Sequence, residues 1–144
     1  MAIEFKYPDG TVYNGMFDDR GLRMGIGSII FGDKTTYKGS FESGLFTGKG
    51  SINFPDGASY AGEFWQGKFY GYGVFVNVDG MKYEGQFKDG EFHGYGLVTY
   101  ADGTNGFPKK EGIFDRNVCK MICESSDHVE KAKSIARAAQ QMRV

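Results

Sequence analysis

The stretch Tyr37-Lys38-Gly39-Ser40-Phe41-Glu42-Ser43-Gly44-Leu45-Phe46-Thr47-Gly48-Lys49-Gly50 decides how the chain is read, because its key residues return 23 positions later and again after another 23. Tyr60, Gly62, Phe64, Gly67, Gly71 and Gly73 form the next copy, and Tyr83, Gly85, Phe87, Gly90, Gly94 and Gly96 the one after. Upstream, Tyr13, Gly15, Phe17, Gly21, Gly25 and Gly27 make a copy with one extra residue in its turn. A fifth copy is degenerate: its aligned tyrosine is missing, Gly106-Phe107-Pro108-Lys109-Lys110 intrudes, and Glu111-Gly112-Ile113-Phe114 resumes the pattern four residues late. Self-similarity at a fixed period signals stacked units that bury their apolar faces against one another.

Each copy reads as two strands. In Tyr60-Ala61-Gly62-Glu63-Phe64 the rings and the glycine share one face while Ala61 and Glu63 take the other, as period 2 demands. In the returning strand Gly48, Gly50, Ile52 and Phe54 share a face, with Lys49, Ser51 and Asn53 opposite. Asp9-Gly10, Asp33-Lys34, Asp56-Gly57, Asp79-Gly80 and Asp102-Gly103 punctuate the copies and mark turns. The phase predicts strands near residues 35–42, 47–54, 58–65, 70–77, 81–88 and 93–100, with a leading strand around Ile3-Glu4-Phe5-Lys6-Tyr7. Glycine weakens a strand, so its recurrence calls for close approach of aromatic rings or strong curvature.

The pattern Y-x-G-x-F-x-x-G-x-x-x-G-x-G resembles the MORN repeat over roughly residues 1–118. That resemblance implies one β-hairpin per repeat, about five repeats with the last degenerate, stacked into an elongated single-layer antiparallel sheet. The expected fold is therefore mainly β, curved into a groove, with a C-terminal α-helix in the segment 119–144. In that segment glycine and proline vanish from Asp127 to Val144, and Asp127-x-x-Glu130 resembles a capping box. At about 100° per residue, Val129, Ala132, Ile135, Ala136, Ala139 and Met142 fall on one side of an amphipathic helix. Such a helix is expected to cap the last hairpin edge or fold back on the apolar face. A peripheral membrane helix is the rival, weakened by a stripe dominated by alanine and lacking Trp or Phe.

Composition narrows the function classes. The chain has 144 residues, 23 of them glycine, only 3 prolines, 13 Phe and 9 Tyr, which excludes collagen and disordered linkers. Net charge is −1, with −3 before Val118 and +2 after it, so a nucleic-acid footprint is absent. Without a basic and apolar leader or a glycine after Met1, the start predicts a cytoplasmic protein that is not myristoylated. Cys119 and Cys123, spaced C-x3-C, read as free thiols. Gly44 to Gly50 imitates a phosphate-binding loop but has three residues where that motif needs four between its glycines, and Gly50 where it needs Ser or Thr. His93 reads as a paired turn histidine, Asp18-Asp19 as a solvated turn, and Trp65 as local packing. No metal, cofactor or catalytic set is expected, so the chain reads as a non-enzyme.

The candidate site is the aromatic face, a peptide-binding groove of Tyr37, Phe41, Phe54, Tyr60, Phe64, Phe75, Tyr83, Phe87 and Tyr100, with Asn77 as one polar notch and Phe46, Phe69 and Phe92 as a possible rim. An apolar patch of more than a few hundred Å² on a soluble protein marks an interface. Within the MORN family, the irregular Gly103 to Phe114 passage and the short basic tail resemble a small adaptor member. That resemblance implies binding to the tail of a class III myosin in actin-rich cell projections. The alternative class is a phosphoinositide or membrane-associating module, against which the charge of the repeat region argues. Oligomeric expectation is a monomer or weak homodimer.

Overall fold

The chain is seen in a computed structural model that describes residues 3–101 and 109–144. Its strands are β1 (Ile3–Lys6), β2 (Val12–Phe17), β3 (Arg23–Ile30), β4 (Thr36–Glu42), β5 (Leu45–Asn53) and β6 (Ser59–Trp65). They continue as β7 (Lys68–Val76), β8 (Lys82–Lys88), β9 (Glu91–Thr99), β10 (Lys109–Asp115) and β11 (Val118–Ile122), followed by the helix α1 (Ser126–Gln140). All 11 strands form one open, uncurled antiparallel sheet in strict chain order, with β1 and β11 at its two edges. The strands expected from the 23-residue phase are present, and the sheet extends through Val118–Ile122 into the segment read from sequence as the tail. The expected Asp102-Gly103 turn and the Gly106-Phe107-Pro108 passage lie outside the described residues.

The returning strands begin two residues earlier than periodicity suggests because their hairpin loops are only two residues long. Ser43-Gly44, Gln66-Gly67 and Asp89-Gly90 hold φ pairs of 49° and 83°, 50° and 84°, and 51° and 86°. Two consecutive positive φ values match the twist of antiparallel strands, as in a type I′ turn. At the opposite edge the aspartates close the turns: the Oδ1 atoms of Asp9, Asp33, Asp56 and Asp79 accept the backbone N–H two residues on at 2.8–3.0 Å. Short polar side chains close turns in this way.

Register aligns the repeats into rows. Tyr13, Ile29, Tyr37, Ile52, Tyr60, Phe75, Tyr83 and Val98 are successive cross-strand neighbours from β2 to β9. Beside them runs a glycine row, Gly27, Gly39, Gly50, Gly62, Gly73, Gly85, Gly96 and Gly112. A Cβ on Gly73 would come within 2.6 Å of the Tyr60 ring carbon Cε1. Ring approach therefore explains Gly50, Gly73 and Gly96, whereas Gly48, Gly71 and Gly94 hold φ of 60°, 67° and 93° near the start of the same strands, and no curling of the sheet is needed.

The helix is the main departure from expectation. It lies on the opposite face from the rings, across β5 to β9, rather than capping the last edge or covering the aromatic side. Ala136 and Ala139 pack on Ala61 and Val74, small apolar residues set among the polar positions of that face. The expected stripe is otherwise found, with Val129, Ala132, Ala136 and Ala139 buried. The Asp127-x-x-Glu130 capping box does not form: the N-cap is Ser125, and its one hydroxyl proton is shared between Glu111 Oε2 at 3.0 Å and Gly96 O at 3.2 Å instead of leaving the oxygen to cap the helix. Glu111 thereby ties the helix start to β10.

Two substitutions separate these effects. Gly73→Ala should destabilise the protein by about 3 kcal/mol, because its ordinary φ leaves only the clash with the Tyr60 ring. Lys34→Gly should stabilise by about 1 kcal/mol, since Lys34 holds φ 81° at the turn position where Gly10, Gly57 and Gly80 sit. Urea midpoints at neutral pH measure both, and an indifferent Gly73→Ala would show that the ring does not exclude a methyl group.

Candidate functional site

The aromatic face is a lattice built by repetition. Phe46 stacks on Tyr37, Phe69 on Tyr60 and Phe92 on Tyr83 at centroid distances of 3.8–3.9 Å and interplanar angles of 3–10°. Each tyrosine also meets the phenylalanine of the following repeat edge-on: Tyr37 with Phe64 at 5.2 Å, Tyr60 with Phe87 at 5.0 Å and Tyr83 with Phe114 at 5.1 Å. Each such pair contributes roughly 0.5–1.5 kcal/mol beyond the area it buries. The tyrosine hydroxyl points along the glycine row and donates to the carbonyl three residues on, Tyr37 to Ser40, Tyr60 to Glu63 and Tyr83 to Gln86, at 2.7–2.9 Å. Ring packing and phenol satisfaction are thus one structure.

That structure divides the expected groove residues in two. Tyr37, Phe41, Tyr60, Phe64, Tyr83 and Phe87 are buried at 0–3% exposure and form the core of the sheet. They shape the face from beneath. Phe75, in the tyrosine row, is half-buried, as are Tyr7, Phe31, Phe54 and Tyr100 in the flanking row and the stacked Phe46, Phe69 and Phe92. These are the rings a ligand can touch, and α1 leaves them uncovered because it occupies the other face. Asn77 is half-buried and interrupts the flanking row between Phe54 and Tyr100. Trp65 is exposed and lies tilted beside the exposed Tyr70 at 6.5 Å, so it packs locally at the hairpin edge.

The helix-bearing face carries polar chemistry of its own. His128 stacks on Tyr95 at 4.3 Å, and its Nδ1 lies 2.7 Å from the Tyr72 hydroxyl. Lys131 sits 4.8 Å over the Tyr72 ring, and Gln86 Oε1 accepts from the Tyr95 N–H. The contacts of His128 and Lys131 anchor the start of α1, and Gln86 braces the strands beneath. The polar expectation for this face fails toward the N-terminal end, where Met16, Met24, Ile26 and Ile30 are exposed on β2 and β3. Ala61 was placed on this face by period 2 but not read with Tyr72, Val74 and Tyr95, and four apolar or aromatic residues at non-ring positions of β6, β7 and β9 were a signal of a partner layer. His93 lies 3.5 Å from Asp115 at the hairpin edge, and both thiols are free.

Burial holds the phenols of Tyr13, Tyr37, Tyr60 and Tyr83 above their ordinary value. A raised folded-state value leaves stability untouched while both states are neutral, then removes it once the unfolded chain starts to release protons the folded one retains. Stability should therefore hold up to about pH 10 and fall steadily above it. Urea unfolding followed from pH 8 to pH 12 tests this, with tyrosine ionisation tracked by ultraviolet difference absorbance. Phenols that ionise before the sheet unfolds would contradict their burial.

Comparison with curated proteins finds no match. A family model described as MORN repeat matches residues 37–59, 60–82 and 83–105. Each match begins on one of the buried tyrosines whose ring covers the glycine row, so the sequence unit and the packing unit coincide. The chain carries three MORN repeats, starting at Tyr37, Tyr60 and Tyr83.

Proposed function

We propose that the protein is a non-enzymatic adaptor that binds a long peptide segment along its aromatic face. One observation carries this reading: α1 covers the opposite side of β5 to β9, so the half-buried rings remain uncovered among the described residues. Shielding apolar surface from water is what such a face gains from a partner. Eleven strands about 4.8 Å apart span about 50 Å, which an extended peptide fills with about 15 residues and a helix with about 33.

The partner we propose is the tail of a class III myosin, in the cytoplasm of actin-rich cell projections. Support comes from the resemblance of the whole chain to the small MORN adaptor retinophilin, in its repeat number, irregular fifth copy and short basic tail. Membrane association is the competing class, and the face itself speaks against it. Its strand positions are mostly aromatic, aliphatic and glycine, with Arg23 on β3 and Lys110 on β10 seven strands apart, a poor match for an anionic leaflet that rewards each basic side chain by about 1 kcal/mol.

Titration calorimetry with a recombinant class III myosin tail tests the partner. Phe54→Ala and Phe75→Ala, on accessible rings, should each weaken binding by about 1–2 kcal/mol, while Met24→Ser on the other face should leave it unchanged. Tight binding lost only in Met24→Ser would move the interface to the helix-bearing face. Absence of binding would reject the myosin, and salt-resistant retention on phosphoinositide vesicles would bring the membrane reading forward.

A further inference from the structure

The ring lattice changes at its N-terminal end. Phe46, Phe69 and Phe92 pair across their hairpins with Phe41, Phe64 and Phe87, and each stacks on its tyrosine. In the first repeat the residue paired with Phe17 is Arg23. Its guanidinium lies 5.9 Å from the centroids of Tyr7 and Tyr13 and 5.7 Å from that of Phe41, a cation held among aromatic rings. Nη1 donates to the Tyr7 hydroxyl at 3.3 Å and Nη2 to Gly44 O at 3.0 Å. Nε is buried without a partner. Among the described residues no carboxylate pairs with Arg23.

A charge withdrawn from water on an apolar face is costly unless an opposite charge meets it, and a buried donor without an acceptor adds to that cost. A guanidinium has five N–H groups, of which two are used here, leaving one on each terminal nitrogen besides Nε. Tyr7 and Gly44 hold the fork in place while the rings lower the local dielectric, conditions under which a charge-assisted bond is strong. We propose that Arg23 is the specificity point of the aromatic face and that it receives an aspartate or glutamate side chain of the bound peptide. The occupant is thus a largely apolar segment with an acidic residue placed over β3. One planar fork matches one carboxylate. A phosphoinositide headgroup, with several negative charges, calls for several cations close together, and the other strand cation of this face, Lys110 beside Val98 on β10, stands seven strands from Arg23, roughly 34 Å at 4.8 Å per strand.

This inference rests on the aromatic face being the docking surface, and its test separates the two. The probe is a displayed library of random 20-residue peptides, selected on the full chain and on Arg23→Phe. That variant installs the residue the other repeats use, so its fold is expected to persist, and a melting curve verifies it. Peptides selected on the parent should carry an acid at a fixed distance from apolar anchors. Replacing that acid by Gln or Asn should weaken binding about tenfold to the parent and less than twofold to Arg23→Phe. Equal losses on both proteins, or selected peptides without a fixed acid, would overturn the role of Arg23. If those peptides remain sensitive to Phe54→Ala and Phe75→Ala, the docking surface survives that failure. If they are insensitive to both, or no peptide is selected, the docking surface falls and this inference with it. Vesicles containing phosphatidylinositol 4,5-bisphosphate form the last arm, and retention abolished in Arg23→Phe would assign the guanidinium to phosphate instead.

Discussion

A phenol ring laid flat across glycine is the contact from which the rest of this molecule follows. The ring can lie there only because the residue beneath has no side chain, and once there its hydroxyl reaches a carbonyl three residues ahead. The same placement presents the ring face to one phenylalanine and its edge to another from the next repeat. A single layer of strands thereby obtains a core without a second layer. The dry interior lies within the thickness of one sheet and its own side chains, which is why the remaining side of the sheet is free to hold α1.

The division of labour between the two faces follows from side-chain size. Ring positions carry large planar groups that fill space against each other, and an added helix would find no flat seat there. On the reverse of β6 and β7, Ala61 and Val74 are low enough for the alanines of α1 to approach closely. The stacking of His128 on Tyr95 and the bonds from Ser125 to Glu111 then fix where the helix starts. The basic tail is thus a strut on the back of the sheet, which leaves the front open.

Much of this was legible in the sequence. Period 23 and the alternation within Tyr60 to Phe64 gave the strand order and facing, because a one-residue slip would expose every ring. The glycines announced close approach before any ring was placed. Two things were hidden, and for different reasons. The side taken by α1 depended on residues that look unremarkable one at a time, a small Ala61 and a Val74 in strands otherwise read as polar outside. Which rings are accessible could not be read from spacing, since Tyr60 and Phe75 are neighbours in one row yet only the first is fully buried. That difference arises from the stacked Phe69, which covers Tyr60. Arg23 was passed over because the one extra residue in the first turn moves it out of alignment with Phe46.

Each hairpin loop also bonds to its predecessor: the N–H of Gly67 donates to Phe46 O, that of Gly90 to Phe69 O and that of Asn117 to Phe92 O. Neighbours therefore cooperate along a line, and among the described residues α1, which bridges β5 to β9, ties non-adjacent strands together. The helix acts as a splint across the middle of a chain of nearest-neighbour links. Strands β1 to β4 lie largely beyond it, and their cohesion is that of an unsupported one-dimensional array, which loses order from its free end inward. Arg23, reaching back to Tyr7 and forward to Gly44, spans that unsupported section, so whatever fastens its guanidinium also shortens the length of sheet that can fray.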